Sequence, residues 1–455
     1  WCVGADGSSL PRSPGWESIM SVLISGATAP DGSSLTVAIR DGVFVPPDAL
    51  TGTVTRIDAG GLIVLPGLVD LHTHLRQPGM DHAETILSGS QAAAAGGFTA
   101  VHAMANTQPV ADTVGVTDLV YRLGQEAGYV EVRPVGAVTK GLAGDELAGI
   151  GGMAAGQGKV RVFSDDGVCV HDSLIMRRAM EYIATFDGVI AQHAQDPKLT
   201  EGAQINEGAL SATLGLAGWP SVAEEAIIAR DVLLAQYTGA RLHVCHVSTS
   251  GSVDLIRYAK SRGIRVTAEV TPHHLLLTQQ RTGTYDPLYK VNPPLRTEED
   301  VQALRAGVAD GTIDIIATDH APHPADSKDC AFEEAAFGML GLESALRVVH
   351  HTLVEPGHLD WSGVARTLST TPASIGRLDG YDRPLAVGSP AHLTLYDPAY
   401  RGPVTMPVTR SDNNPYVDLE VPGQVVTTIF GGTITVRDTA VVDPDRLRHD
   451  REAHS

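Results

Sequence analysis

The sequence predicts a (β/α)8 barrel carrying a small β-sandwich domain built from both chain termini. Eight β-type runs alternate with helical stretches between about residues 66 and 385, which argues for a mostly parallel sheet. Short β-runs punctuated by turn clusters occur only before and after that region. Residues with metal-ligand chemistry end five of the eight runs, at the strand ends where barrel enzymes build their active sites.

The 455 residues suffice for one large barrel and a smaller module. Apolar residues make up 43% and charged residues 19%, a balance that can bury a globular core, and no apolar run approaches a membrane span. Asp plus Glu (53) exceed Lys plus Arg (33), for a net charge of −20 with no basic stripe, so neither nucleic acid nor membrane is expected as a partner. A small anionic substrate would meet repulsion, so a site for one must reverse the field locally with metal and arginine. Cys2, Cys169, Cys245 and Cys330 have no paired spacing, which fits free thiols in a reducing cytoplasm.

Residues 1–19 are rich in Gly, Ser and Pro and lack the features of a secretory signal, so they read as a disordered leader, with Met20 the natural start. Residues 20–65 contain the β-runs 21–24 and 35–39, and similar runs return within 386–445, at 391–395, 425–430 and 433–436. The two segments are expected to form the composite sandwich, leaving 446–455 as a charged tail. In the catalytic barrel, 66–385, the β-runs are 68–75, 98–105, 130–139, 159–166, 188–194, 241–247, 265–273 and 313–320. Helical candidates between them include 84–95, 173–182, 221–237 and 251–261.

The first run holds the densest chemistry. Its period of two places Asp70, His72 and His74 on one face and Leu71 and Thr73 on the other. A lone buried histidine usually packs as a satisfied core group. Two on one strand face can instead share a divalent cation, and Arg76 just beyond offers a planar fork for a carboxylate. Other strand ends should then carry ligands on their inward face. Val160, Val162, Ser164 and Asp166 align in the fourth run, so Asp166 rather than Asp165 points in. Val189, Ala191 and His193 align in the fifth, Leu242, Val244 and His246 in the sixth, and Ile313, Ile315, Ala317 and Asp319 in the eighth. Six side chains thus converge: His72, His74, Asp166, His193, His246 and Asp319. His273 and His274 read as structural, His243 as packed outward against helices and Cys245 as an outward buried thiol.

The motifs Asp70-Leu-His72-Thr-His74-Leu-Arg76-Gln-Pro-Gly79, Gly96-Gly97-Phe98-Thr99, Met104-Ala-Asn106-Thr, Ser164-Asp-Asp-Gly167, His243-Val-Cys-His246, Asn292-Pro-Pro-Leu-Arg296 and Ala317-Thr-Asp-His-Ala-Pro-His323 resemble the dihydroorotases. The likeness is to the longer bacterial class of the amidohydrolase superfamily and runs from about Ser21 to Val436. It implies two zinc ions per subunit, with a single ion as the alternative, bridged by hydroxide and Asp166. His72, His74 and Asp319 would hold one and His193 and His246 the other. Asp319 would be the catalytic proton shuttle in the reversible hydrolysis of dihydroorotate to N-carbamoyl-L-aspartate. Arg76, Asn106 and His323 match residues that hold the substrate carboxylate, and Asn292 and the backbone at Phe337-Gly338 match those on the ring. Two rivals remain: another cyclic amidohydrolase such as an allantoinase or hydantoinase, where a carboxylated lysine bridges in place of Asp166, and a non-catalytic scaffold for aspartate transcarbamoylase. A homo-oligomer and an association with that transcarbamoylase are further expectations of the likeness. One departure from the pattern is Ala105 where the family has proline, expected to loosen the loop presenting Asn106. The segment after His323 is expected to be a mobile loop over the substrate.

Overall fold

The computed structural model describes residues 21–443, so the expected leader, Cys2 and the tail fall outside the described residues. All eight predicted runs between 66 and 385 contain strands. Leu68–Thr73, Phe98–Ala103 and Glu131–Pro134 form a three-stranded sheet. Val162–Phe163, Val189–Gln192, Arg241–Val244, Val266–Val270 and Ile315–Ile316 form a five-stranded one. Every pairing is parallel and the spatial order follows the chain order. Parallel bridges join the two sheets at both edges: Gly136 with Phe163, and Thr73 with His320. At the second seam the His74 amide donates to the His320 carbonyl at 2.8 Å.

Local chemistry starts and stops the intervening helices. Thr85 and Ser88 form a reciprocal cap on Ile86–Ala95, and the Asp172 carboxylate accepts from two amides of Ser173–Ala184. Val222–Thr238 carries Glu224 and Glu225 in its first turn and ends at Gly239 in the left-handed conformation. Thr249 caps Ser250–Ser261. All four sequence-predicted helices are present within two residues at each end.

Side chains sort into two layers. Val120, Ile228, Val232, Ile256 and Leu304 of the helices pack with outward-facing strand residues such as Phe98, Val132, Phe163 and Ile190. A separate interior cluster contains Leu71, Met104, Val135, Val162, Val189, Ala191, Cys245, Ile315 and Ala317, contributed by seven of the eight strand segments, together with Ile375 from the helix Thr371–Gly376. Apolar burial on both faces explains why these strands read as nearly continuous hydrophobic runs.

The interior cluster corrects three expectations. Leu71 was expected opposite the ligands, yet it lies inside; the ladder to the second strand shifts register between Asp70 and Thr73, which breaks the strict alternation across that stretch. In the sixth strand Leu242 and Val244 pack with the helices, whereas Cys245 is interior rather than outward. His246 regains the inside because its backbone turns left-handed, with φ of 31°. His243 does not pack outward against helices but bonds to Thr267 and Glu269 of the adjacent strand.

The terminal segments share one nine-stranded sheet. Ser21–Thr28, Ser34–Arg40, Val43–Val45, Val54–Asp58 and Ile63–Pro66 come from the first segment, and Leu393–Pro403, Glu420–Phe430, Thr433–Arg437 and Ala440–Val441 from the last. They join where Ile63–Pro66 pairs antiparallel with Leu393–Pro403. Alternate residues Val22, Ile24, Val37, Ile39, Leu393, Leu395 and Ile429 form its core. Gly67 leads into the first parallel strand where a Cβ would lie 2.2 Å from Thr99 Oγ1, so only glycine fits that crossing. Among the described residues no helix is long and apolar enough to cross a membrane.

Candidate metal centre

The strand ends bring together all six side chains singled out by sequence. His72 Nε2 lies 3.3 Å from Asp166 Oδ1 and 3.5 Å from Asp319 Oδ1. His74 Nε2 lies 3.3 Å from Asp166 Oδ2 and 3.0 Å from Asp319 Oδ1. Across the centre, Asp166 Oδ1 is 3.2 Å from His193 Nδ1 and 3.5 Å from His246 Nε2, and those two nitrogens are 2.9 Å apart. Among the described residues, two ligand groups share Asp166: His72 and His74 on one side, His193 and His246 on the other. Asp165, the alternative, instead accepts from the Val138 and Thr139 amides.

Three of the four ring nitrogens that face away from the centre have partners. His72 Nδ1 is 2.6 Å from Glu269 Oε1, His74 Nδ1 is 3.0 Å from Asn106 Oδ1, and His193 Nε2 is 2.7 Å from Gln195 Oε1. Each acceptor orients its imidazole and can hold a proton on the outer nitrogen, so that the inner nitrogen is available to a cation. His72 Nε2 is buried with no hydrogen-bond partner. A buried, oriented set of His and Asp ligand atoms, with His72 Nε2 left without a partner, fits a divalent cation of the zinc type.

The electrostatics agree. Burial disfavours the charged form of His72, yet Asp166, Glu269 and Asp319 outweigh it and hold its pKa well above the ordinary value. Burial would likewise raise Asp166 and Asp319, but the surrounding imidazoles, His72 foremost, hold both well below the usual carboxylate range. Excess negative charge is thus concentrated where a cation would sit.

Glu269 is the functional candidate the sequence reading missed. Its Oε1 faces His72 and the His246 amide, and its Oε2 lies 2.9 Å from His243 Nε2. A single acid within the buried run Val266–Val270 was the available signal, since an unpaired buried carboxylate is costly. Asp70 does not join the ligands; its carboxylate accepts from the His72 and Thr318 amides, fastening the first strand to the eighth. Burial raises its pKa to about 7. His273 and His274 are buried; His274 is held by Thr271 and the Pro293 carbonyl, whereas both ring nitrogens of His273 are buried without a hydrogen-bond partner. Glu269→Gln is expected to lower metal affinity ~10–100-fold, the usual effect of losing an outer partner of a ligand; competition against a chelator measures it.

A cavity of about 210 Å³ opens on the cluster and is lined also by Arg76, Asn106, Asn292, His323, Phe337 and Gly338. Arg76 is buried, and its Nε donates to the Pro322 carbonyl at 3.0 Å. Burial lowers its pKa to about 10, leaving it charged at neutral pH. His323 Nε2 is 2.8 Å from the Phe337 carbonyl oxygen; burial and the neighbouring Arg76 hold its pKa near 3, so the ring is neutral. Asn292 donates to Gln195 Oε1 at 3.0 Å and keeps a buried Oδ1 without a partner. Arg76, His246 and Asp319 all have left-handed backbones, with φ of 61°, 31° and 47°, an uncommon conformation for residues other than glycine.

Two loops singled out by the sequence are held by specific contacts. The Ala105 carbonyl accepts from the Thr107 and Ala111 amides, and Asn106 holds His74, so the loop is fastened without proline. The segment after His323 is tied down by two lysines. Lys328 Nζ donates to the carbonyls of Pro287, Lys290 and Ala336, and Lys290 Nζ to those of Phe332 and Glu333.

The comparisons with known proteins point the same way. A family described as dihydro-orotase-like matches residues 61–252. The dihydroorotase of Leifsonia xyli subsp. xyli is 60% identical over 425 residues, covering 92% of this chain and 97% of that protein. That of Streptomyces coelicolor is 61% identical over 384 residues, covering 84% and 90%. In fold, the L-hydantoinase (dihydropyrimidinase) of Arthrobacter aurescens superposes with a TM-score of 0.82 at 24% identity over 93% of this chain and 98% of its own. With identity this high over nearly the whole of both chains, the protein belongs to the dihydroorotase family of cyclic amidohydrolases.

Proposed function

We propose that the protein is a zinc-dependent dihydroorotase, interconverting dihydroorotate and N-carbamoyl-L-aspartate. The observation that carries this reading is the buried, charged Arg76 facing the same cavity as the six-residue cluster. In an acidic chain, a buried guanidinium that makes no ion pair among the described residues favours a substrate that brings its own carboxylate. Dihydroorotate carries one; hydantoin and allantoin rings do not.

In this reading His72, His74 and Asp319 hold one zinc ion, His193 and His246 a second, and Asp166 stands between them. When bound, the ions supply a water that ionises near neutrality and polarise the ring carbonyl. Arg76 grips the substrate carboxylate and sets the ring over the cluster. Asn292 Oδ1, lacking a partner, is placed to accept a ring N–H. Asp319, ionised at neutral pH because the imidazoles hold its pKa down, takes the proton of the attacking nucleophile and returns it to the departing ring nitrogen. The reverse path closes the ring. We further read the eight strands as a closed (β/α)8 barrel over 66–385, the terminal segments 20–65 and 386–445 as a sandwich, and the unpaired thiols as those of a cytoplasmic enzyme.

Steady-state assays on dihydroorotate, hydantoin and allantoin test the reading; faster turnover of a ring without a carboxylate would overturn it. Arg76→Met is expected to weaken substrate binding by about 1.5–3 kcal/mol, seen as a KM roughly 10–150-fold higher. An unchanged KM and rate would remove Arg76 from the carboxylate site.

A further inference from the structure

We propose a second binding site, at the opposite end of the strands, for a small phosphate ester. A cavity of about 310 Å³ lies there, lined by Arg133, Lys159, Arg161, Asp187, Arg377 and Asp379. Lys159, Arg161 and Asp187 precede the fourth and fifth strands, Arg377 and Asp379 follow the helix Thr371–Gly376, and Arg133 belongs to the third strand, Glu131–Pro134. Lys159 and Asp166 flank the same strand, so along an extended chain the two sites are on the order of 20 Å apart.

The charges at this cavity are unbalanced. Asp187 already accepts from Arg377 and, at 2.9 Å, from Arg265, while Arg133 is paired with Glu131. Arg161 has no acidic partner among the described residues; its Nη1 donates to the Ala154 and Val160 carbonyls at 2.9 and 2.8 Å. Lys159 makes neither an ion pair nor a side-chain hydrogen bond among the described residues. Asp379 lines the pocket without an ion pair among the described residues, so four cationic side chains face two carboxylates there, in a chain whose net charge is −20. Such a pocket focuses field on an anion, and a lysine point charge beside an arginine fork suits phosphate oxygens.

The volume narrows the ligand. It exceeds what inorganic phosphate fills and sits at the low end of organic-ligand pockets, roughly 300–1,000 Å³. Phe186 and Pro134 supply an apolar wall for the organic part. A phosphorylated sugar-sized molecule matches both features, and the site is independent of the reaction proposed above.

Calorimetric titration of the metal-loaded, full-length protein with ribose 5-phosphate, and separately with inorganic phosphate, tests this. Saturable binding of the ester is expected, weakened at least about tenfold in Lys159→Glu and in Lys159→Met, the loss of one charged hydrogen bond. Both variants should keep the wild-type Tm and the wild-type kcat and KM. No saturable binding, or wild-type affinity retained in both variants, overturns the site. Displacement by dihydroorotate would place the probe at the metal centre and also overturns it. Inorganic phosphate binding as tightly as the ester would overturn the organic-ligand assignment.

Discussion

Asp319→Asn should leave a folded protein whose kcat is lower by ~10²–10⁴, the usual contribution of a positioned proton-transfer group. Asp319 Oδ1 is the carboxylate oxygen 3.0 Å from His74 Nε2, and Asp319 lines the cavity where the substrate ring would lie. An amide in its place has nearly the same shape but cannot take the proton. Asparagine is preferred to alanine because φ at this position is 47°, a conformation Asn and Asp tolerate better than other residues with a Cβ. Circular dichroism and Tm establish folding, elemental analysis gives the metal content, and turnover of dihydroorotate reads the chemistry. A folded, metal-loaded variant with near-normal kcat would remove Asp319 from the proton path.

The second large effect is expected at Asp166. Its two oxygens lie within 3.5 Å of nitrogens from all four histidines, and among the described residues no other side chain touches both halves of the cluster in this way. Asp166→Ala should reduce metal affinity by more than the ~10–100-fold that follows loss of an outer partner, and activity should fall with it. The contrast with Glu269→Gln is informative, because Glu269 touches only one ligand ring and one ligand amide. If Asp166→Ala retained metal as tightly as Glu269→Gln, the bridging role would be wrong.

Much of this site was legible along the chain. His72 and His74 two apart, and Asp166, His193 and Asp319 in phase with the interior residues Val162, Ala191, Ile315 and Ala317, needed only the period of a β-strand, although Val160 and Ile313, expected on the same faces, pack with the helices. His246 was found for the wrong reason. Its strand neighbours Leu242 and Val244 face the helices, and a left-handed turn at His246 itself brings the ring inside. Nothing local marks a non-glycine residue for that conformation; tertiary contacts impose it. The same holds for Leu71, whose interior place coincides with a ladder irregularity between Asp70 and Thr73.

Glu269 was hidden for a different reason. Its partners His72 and His243 lie far away in sequence, and only the closing together of the first, sixth and seventh strands shows that its charge is satisfied. The composite module was readable as strands at both ends of the chain, but its continuity as one nine-stranded sheet rests on the pairing of Ile63–Pro66 with Leu393–Pro403, which neither run announces alone. Likewise, the lysines that fasten the segment before Phe337 donate to carbonyls, and backbone acceptors have no signature in a sequence.

The account's central claim is that ions held by these six side chains make the ring-opening reaction possible. Its most direct test is the turnover of dihydroorotate by chelator-stripped protein as zinc is returned in measured amounts. Turnover should be absent at zero metal and should rise to a plateau as zinc approaches two equivalents per chain. Full turnover by protein shown to be metal-free would contradict it.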